Sequence, residues 1–117
     1  MSMESDLQTL LLTKCARTYP DVAPSGAAKP WVTWQALGGE SLGYLDNTAA
    51  DKRYTLMQIN AWATTRLAAL NLIRDIETAM RASSAFTAMP QGEAVSLYES
   101  DTLLYGCVQR YEIFALR

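Results

Sequence analysis

The chain has 117 residues, half of them apolar and 19% charged, with 10 Lys and Arg against 12 Asp and Glu and no histidine. That length fits a single domain, residues 1–117, with a core of its own, and the composition is too apolar and too weakly charged for a disordered chain. A net charge of −2 with scattered basic residues argues against a nucleic-acid footprint, and the lack of histidine removes Ser-His-Asp and Cys-His catalysis and the usual imidazole-bearing zinc site.

Met3, Leu7, Leu10, Leu11 and Cys15 recur at helical spacing and predict a helix from Met3 to about Ala16. Ser2 is its candidate cap, and Glu4 and Asp6 sit near its positive end in place of the basic segment of a secretory signal. The run from Tyr19 to Pro30 holds three of the four prolines, which excludes helix and interior strand and predicts a structured connector. Trp31 to Leu37 is rich in β-branched and aromatic residues and alternates Val32, Trp34 and Ala36 against Trp31, Thr33 and Gln35, so it reads as a strand with either face buried.

Gly38 to Lys52 follows as a long loop with mixed charge; loops of about 15 residues without structure of their own are usually functional or disordered. Tyr44 and Leu45 at its centre either cap an edge of the domain or meet a partner.

From Arg53 to Ala82 the pattern changes from period two to period 3.6. Met57, Ile59 and Ala61 alternate with polar Gln58 and Asn60 in a strand that ends near Trp62, and Thr64 or Thr65 caps a following helix. Leu67, Leu70, Ile73, Ile76 and Met80 form its predicted dry face, and Asn71, Arg74, Asp75, Thr78 and Arg81 its wet one. Ser83 and Ser84 break the pattern, and the stretches 85–88 and 95–98 read as two short strands around the turn residues Pro90, Gln91 and Gly92. The last segment, Leu103 to Leu116, reads as a long strand with Tyr105, Cys107, Gln109, Tyr111 and Ile113 on one face. A buried Gln109 demands hydrogen-bond partners, and Gly106 marks a bulge or the close approach of another backbone.

Little in this pattern carries chemistry. The acid pairs Asp46 with Asp51, Glu99 with Asp101, and Asp75 with Glu77 read as solvent-facing, and Glu77 with Arg81 as an i,i+4 surface pair. The glycines at 38–43 lack the lysine and the following helix of a phosphate loop. Cys15 and Cys107 read as buried free thiols, and Trp31, Trp34 and Trp62 as core and sheet-edge packing. No stretch has the roughly 20 apolar residues of a membrane-spanning helix. The reading is therefore of a protein that is not an enzyme, without cofactor or metal.

Three stretches are similar to one family. T-Y-P-D-V-A-P-S-G-A-A-K-P-W-V-T-W from Thr18 to Trp34, Q-I-N-A-W-A from Gln58 to Ala63, and S-L-Y-E-S-D-T-L-L-Y-G-C-V-Q-R-Y-E-I-F from Ser96 to Phe114 resemble the small tail completion, or head-tail joining, proteins of long-tailed bacteriophages and prophages. The order of elements also matches, over nearly the whole chain. The resemblance implies structural positions at Pro20, Pro24, Gly26, Pro30 and Trp31 in the connector, Trp62 at the strand-helix junction, and Tyr111 and Ile113 on the inner face of the last strand. Lys29 and Trp31 replace the family's more usual small apolar residue and tyrosine, and the loop from Gly39 to Lys52 has no fixed motif.

The patterning predicts an α+β, two-layer fold: a mainly antiparallel sheet of four or five strands with the two amphipathic helices on one face. The resemblance adds the function. It implies a ring-forming structural virion protein, commonly six-fold, that caps the tail tube. Its partners are then itself, the tail tube protein and the head connector, in the virion tail and, during assembly, in the host bacterial cytoplasm. A ring subunit needs two different patches, one for each neighbour. Tyr44, Leu45, Asp46, Asp51, Lys52, Arg53, Arg110 and Glu112 are the candidate interface residues from this sequence. The rival readings are another minor tail or tube protein, and a small ligand- or peptide-binding module built on the tryptophans and the long loop.

Overall fold

The structure, a computed structural model, describes residues 3–24, 30–40, 52–99 and 104–116. Its elements in chain order are α1 (Met3–Leu12), β1 (Thr18–Pro20), β2 (Trp31–Glu40), β3 (Lys52–Ala63), α2 (Arg66–Ala82), β4 (Thr87–Pro90), β5 (Val95–Glu99) and β6 (Leu104–Leu116).

The two longest strands, β3 and β6, pair antiparallel along their length, from Lys52 opposite Leu116 to Ala63 opposite Tyr105. Both alternate apolar and polar side chains, so that pairing puts Met57, Ile59 and Ala61 beside Tyr111, Gln109 and Cys107 on one face. Antiparallel β2 adds Val32, Trp34 and Ala36 to that face, with a register shift between Ala36 and Gly39 where Gly38 has φ +104°. Met3, Leu7 and Leu11 of α1 and Ala69, Ile73, Ile76 and Met80 of α2 close over it, forming one core with Val32, Met57, Ile59, Tyr111 and Ile113.

The expected two-layer α+β arrangement is present, but the sheet is larger and mixed. Among the described residues it has six strands in the order β1-β2-β3-β6-β4, with β5 also on β6, and β1 runs parallel to β2. The connector supplies the extra strand: Thr18 to Pro20 pairs with Val32 to Trp34 at the sheet edge, where a proline is tolerated. Asp21, at φ 62°, then turns the chain away, its N–H donating to Trp34 O at 2.8 Å.

Five local expectations change. The expected loop from Gly38 to Lys52 is shorter, because β2 runs on past its register shift to Glu40 and β3 begins at Lys52, where each finds a backbone partner. Helix α1 stops at Leu12 because Thr13 Oγ1 donates to Leu10 O at 2.6 Å and competes for the ladder, although Cys15 is still buried below it. On α2, capped by Thr65 through Ala68 N at 3.1 Å, the dry stripe is Ala69, Ile73, Ile76 and Met80, while Leu67 is 66% exposed. At 3.6 residues per turn Leu67 lies about 120° from Ile73 around the helix, off the buried stripe. The segments around Pro90 do not form a hairpin with each other; β4 and β5 both pair with β6, as two pieces of one interrupted edge strand. Gly106 marks no bulge, since the register runs through it unbroken, and what approaches it is the Trp62 side chain.

Candidate functional site

Both helices lie on one side of the sheet, and among the described residues no helix lies on the other. The register aligns Tyr19, Thr33, Asn60, Val108 and Val95 in one row across it, and Trp31, Trp62, Gly106 and Leu97 in the next. A Cβ at position 106 would stand 2.7 Å from Cε3 and Cζ3 of Trp62, so the glycine lets the indole lie flat on the sheet. Trp31 and Trp62 are half-buried and Leu97 is exposed. The side-chain oxygen Oδ1 of Asn60 is buried on this face without a hydrogen-bond partner, a state that costs about 1–3 kcal/mol.

A polar belt follows, Gln35, Gln58 and Arg110, in which Arg110 Nε donates to Gln58 Oε1 at 3.2 Å. Beyond it the face turns apolar again at Leu56, Met89 and Phe114, around Glu112, whose Oε1 accepts from Gln91 Nε2. Arg110 and Glu112 therefore share one face, as their spacing of two requires. Lys52 and Arg53 open β3 opposite Leu116 and Ala115, about 13 Å of strand from Glu112. Tyr44, Leu45, Asp46 and Asp51 lie outside the described residues.

Trp34 sits on the opposite, helix-covered face, where its indole N–H donates to Gln8 Oε1 at 2.6 Å. The tryptophans are thus divided between the two faces, and only Trp34 joins the core. The pattern of the sequence does not show the Trp31–Trp62–Leu97 row, which depends on strand register. The available signal was Gly106, a small residue inside an otherwise bulky strand.

Under the sheet Gln109, 3% exposed, is fully engaged: Nε2 donates to Glu77 Oε1 at 2.7 Å and to Gly92 O at 3.1 Å, and Oε1 accepts from the Tyr111 hydroxyl at 3.0 Å. The Gln109 hydrogen bond and then that of Arg81, whose Nε lies 3.0 Å from Glu77 Oε2, hold the Glu77 carboxyl below its usual range. Burial, and then the Glu77 charge, push the Tyr111 phenol well up, so it stays a neutral donor. Cys15 and Cys107 are buried and unpaired with each other, and burial raises the Cys107 thiol. This network braces α2 against β6. Among the described residues no helix is long and apolar enough to cross a membrane.

A family model described as tail completion protein gp17 matches residues 3–115. The chain belongs to that family. Among curated proteins nothing matches the sequence. A tail completion protein is a structural component of the phage tail that associates with other tail and head proteins, and this places the chain in the virion tail. The Pro-rich run that carried the resemblance has a visible structural task here. The Pro30 carbonyl accepts from Arg17 Nε at 2.9 Å and from Cys15 Sγ at 3.6 Å, fixing the end of the connector where β2 begins.

Proposed function

We propose that the chain is the ring-forming subunit that caps the head-proximal end of the tail tube and presents the surface to which the head connector attaches. The observation that carries this reading is the family match across residues 3–115. The helix-free sheet face supports it: the row of Trp31, Trp62 and Leu97 suits a surface that another protein covers. Arg110, Glu112, Lys52 and Arg53, with the loop residues Tyr44, Leu45, Asp46 and Asp51, are the proposed contacts to neighbouring subunits or partners.

Removing Ser41 to Ala50 tests the loop. Glu40 pairs with Tyr54, so the deletion leaves 51–53 to join β2 to β3, and hairpin loops of about three residues close readily. The shortened protein is expected to keep its circular dichroism spectrum and unfolding midpoint while losing the ability to join tails to heads. An unfolded product, or a folded one that joins tails normally, removes the loop from the interface.

A further inference from the structure

The two edges of the sheet are built differently. At one edge β1 is only three residues long, ends in Pro20, which has no N–H to offer, and has its Thr18 carbonyl taken by Gln8 Nε2 at 3.0 Å. Short length, proline and a capping side chain are the usual means of keeping a sheet edge from pairing. At the other edge β5 has none of them. All five residues of Val95–Glu99 are exposed, without proline or lysine, and Val95, Leu97 and Tyr98 present large apolar side chains at 57%, 37% and 49% exposure. Among the described residues no strand covers its outer side.

This edge is also held in shape. Every residue of β5 is paired with β6, from Val95 opposite Val108 to Glu99 opposite Leu104, and the Tyr98 ring packs on Tyr105 at 4.8 Å between centroids. Arg66 in turn lies over the Tyr105 ring at 5.2 Å, tying the hairpin to the start of α2. A rigid, exposed strand edge with alternating apolar side chains is a template for strand addition.

We infer that the outer edge of β5 accepts, as an added antiparallel strand, an extended segment of another protein with alternating apolar side chains and a basic residue at each end. The ends follow from charge: exposed Glu99 closes the strand, and exposed Glu93 lies in the bend that leads into it. A second copy of β5 suits the edge poorly. Paired antiparallel about Leu97, each Glu99 would stand opposite Val95 and approach the bend that carries the other copy's Glu93, bringing like charges towards each other at both ends. The chain's own run from Arg110 to Arg117 has the favoured pattern, but Arg110 to Leu116 of it lie in β6, paired with β3 on one side and, from Tyr111 to Phe114, with β4 on the other. The occupant is therefore a different protein, and the inference stands on the sheet edge alone, whether or not the chain forms a ring.

The test uses the full-length, isotope-labelled protein and two synthetic peptides, Lys-Thr-Val-Thr-Ile-Thr-Lys and the same sequence with Glu at both ends. The lysine-ended peptide is expected to shift the amide resonances of 95–99 and slow their hydrogen exchange, and to bind about tenfold more tightly than the glutamate-ended one, from two exposed charge pairs reversed in sign. In the surface variant Glu93→Lys/Glu99→Lys the preference is expected to invert. Shifts centred on Trp31 and Trp62 instead of β5, no binding of either peptide, or equal binding of both would overturn the inference. So would protection of the β5 amides on raising protein concentration without peptide, which would make a second copy the occupant.

Discussion

Trp62 and Gly106 occupy opposite positions on β3 and β6, and the indole takes the space that any side chain at 106 would fill. Gly106→Ala brings a methyl to within 2.7 Å of two ring atoms, so the indole must rotate off the sheet or the strands must part. Overpacking of this kind costs about 1–3 kcal/mol. Denaturant unfolding is expected to show that loss in the single variant and little of it when alanine is introduced into Trp62→Leu, where the ring is gone. Equal losses in both backgrounds would mean that the glycine serves the backbone and not the indole.

Gln109 makes a second, chemically different prediction. Gln109→Leu keeps approximate volume on the core face but strips the Tyr111 hydroxyl of its acceptor and Gly92 O and Glu77 of a donor. Leaving such buried groups unmade is expected to cost on the order of 2–3 kcal/mol. Adding Tyr111→Phe removes the stranded hydroxyl and is expected to restore part of that loss, so the double variant should be more stable than Gln109→Leu alone. Strict additivity of two destabilising changes would show that the two side chains are not coupled.

The same network sets a dependence on acid. Because Glu77 is held below its ordinary value of 4.5 in the folded protein, its contribution is fully present above that pH and is lost as pH falls through the lower folded value. The stability gap between the protein and Glu77→Gln is therefore expected to be constant from neutral pH down to about pH 5 and to narrow below it, as read from unfolding midpoints across that range. A gap that widens in acid would reverse the assignment of the carboxylate as the acceptor for Gln109.

The parts of this fold that were legible in the sequence are those fixed by local alternation. Met57, Ile59 and Ala61, then Ile73, Ile76 and Met80, announce a strand and a helix because each pattern is set by the geometry of its own backbone. The need of Gln109 for partners was equally readable, since a glutamine among apolar neighbours has to be satisfied somewhere. What was not legible depends on distant partners. Thr18 to Pro20 becomes a strand only because β2 offers an edge to it, and β4 and β5 ignore each other because β6 is long enough to pair with both. Ala69 is buried in place of Leu67 because it lies about 40° from Ile73 around the helix and Leu67 about 120°, so the buried stripe follows angle and not side-chain size. Of the candidate interface, the shared face of Arg110 and Glu112 follows from strand spacing. The aromatic row of Trp31 and Trp62 needed the register.

The most direct test of the proposed role uses tails assembled without this protein. Purified protein is added to them, followed by filled heads, and the products are followed by electron microscopy and by infectious titre. The account predicts a ring of density at the head-proximal end of each tube, and joined, infectious particles only where the protein has been supplied. Tubes of regular length that join heads equally well without it would contradict the account.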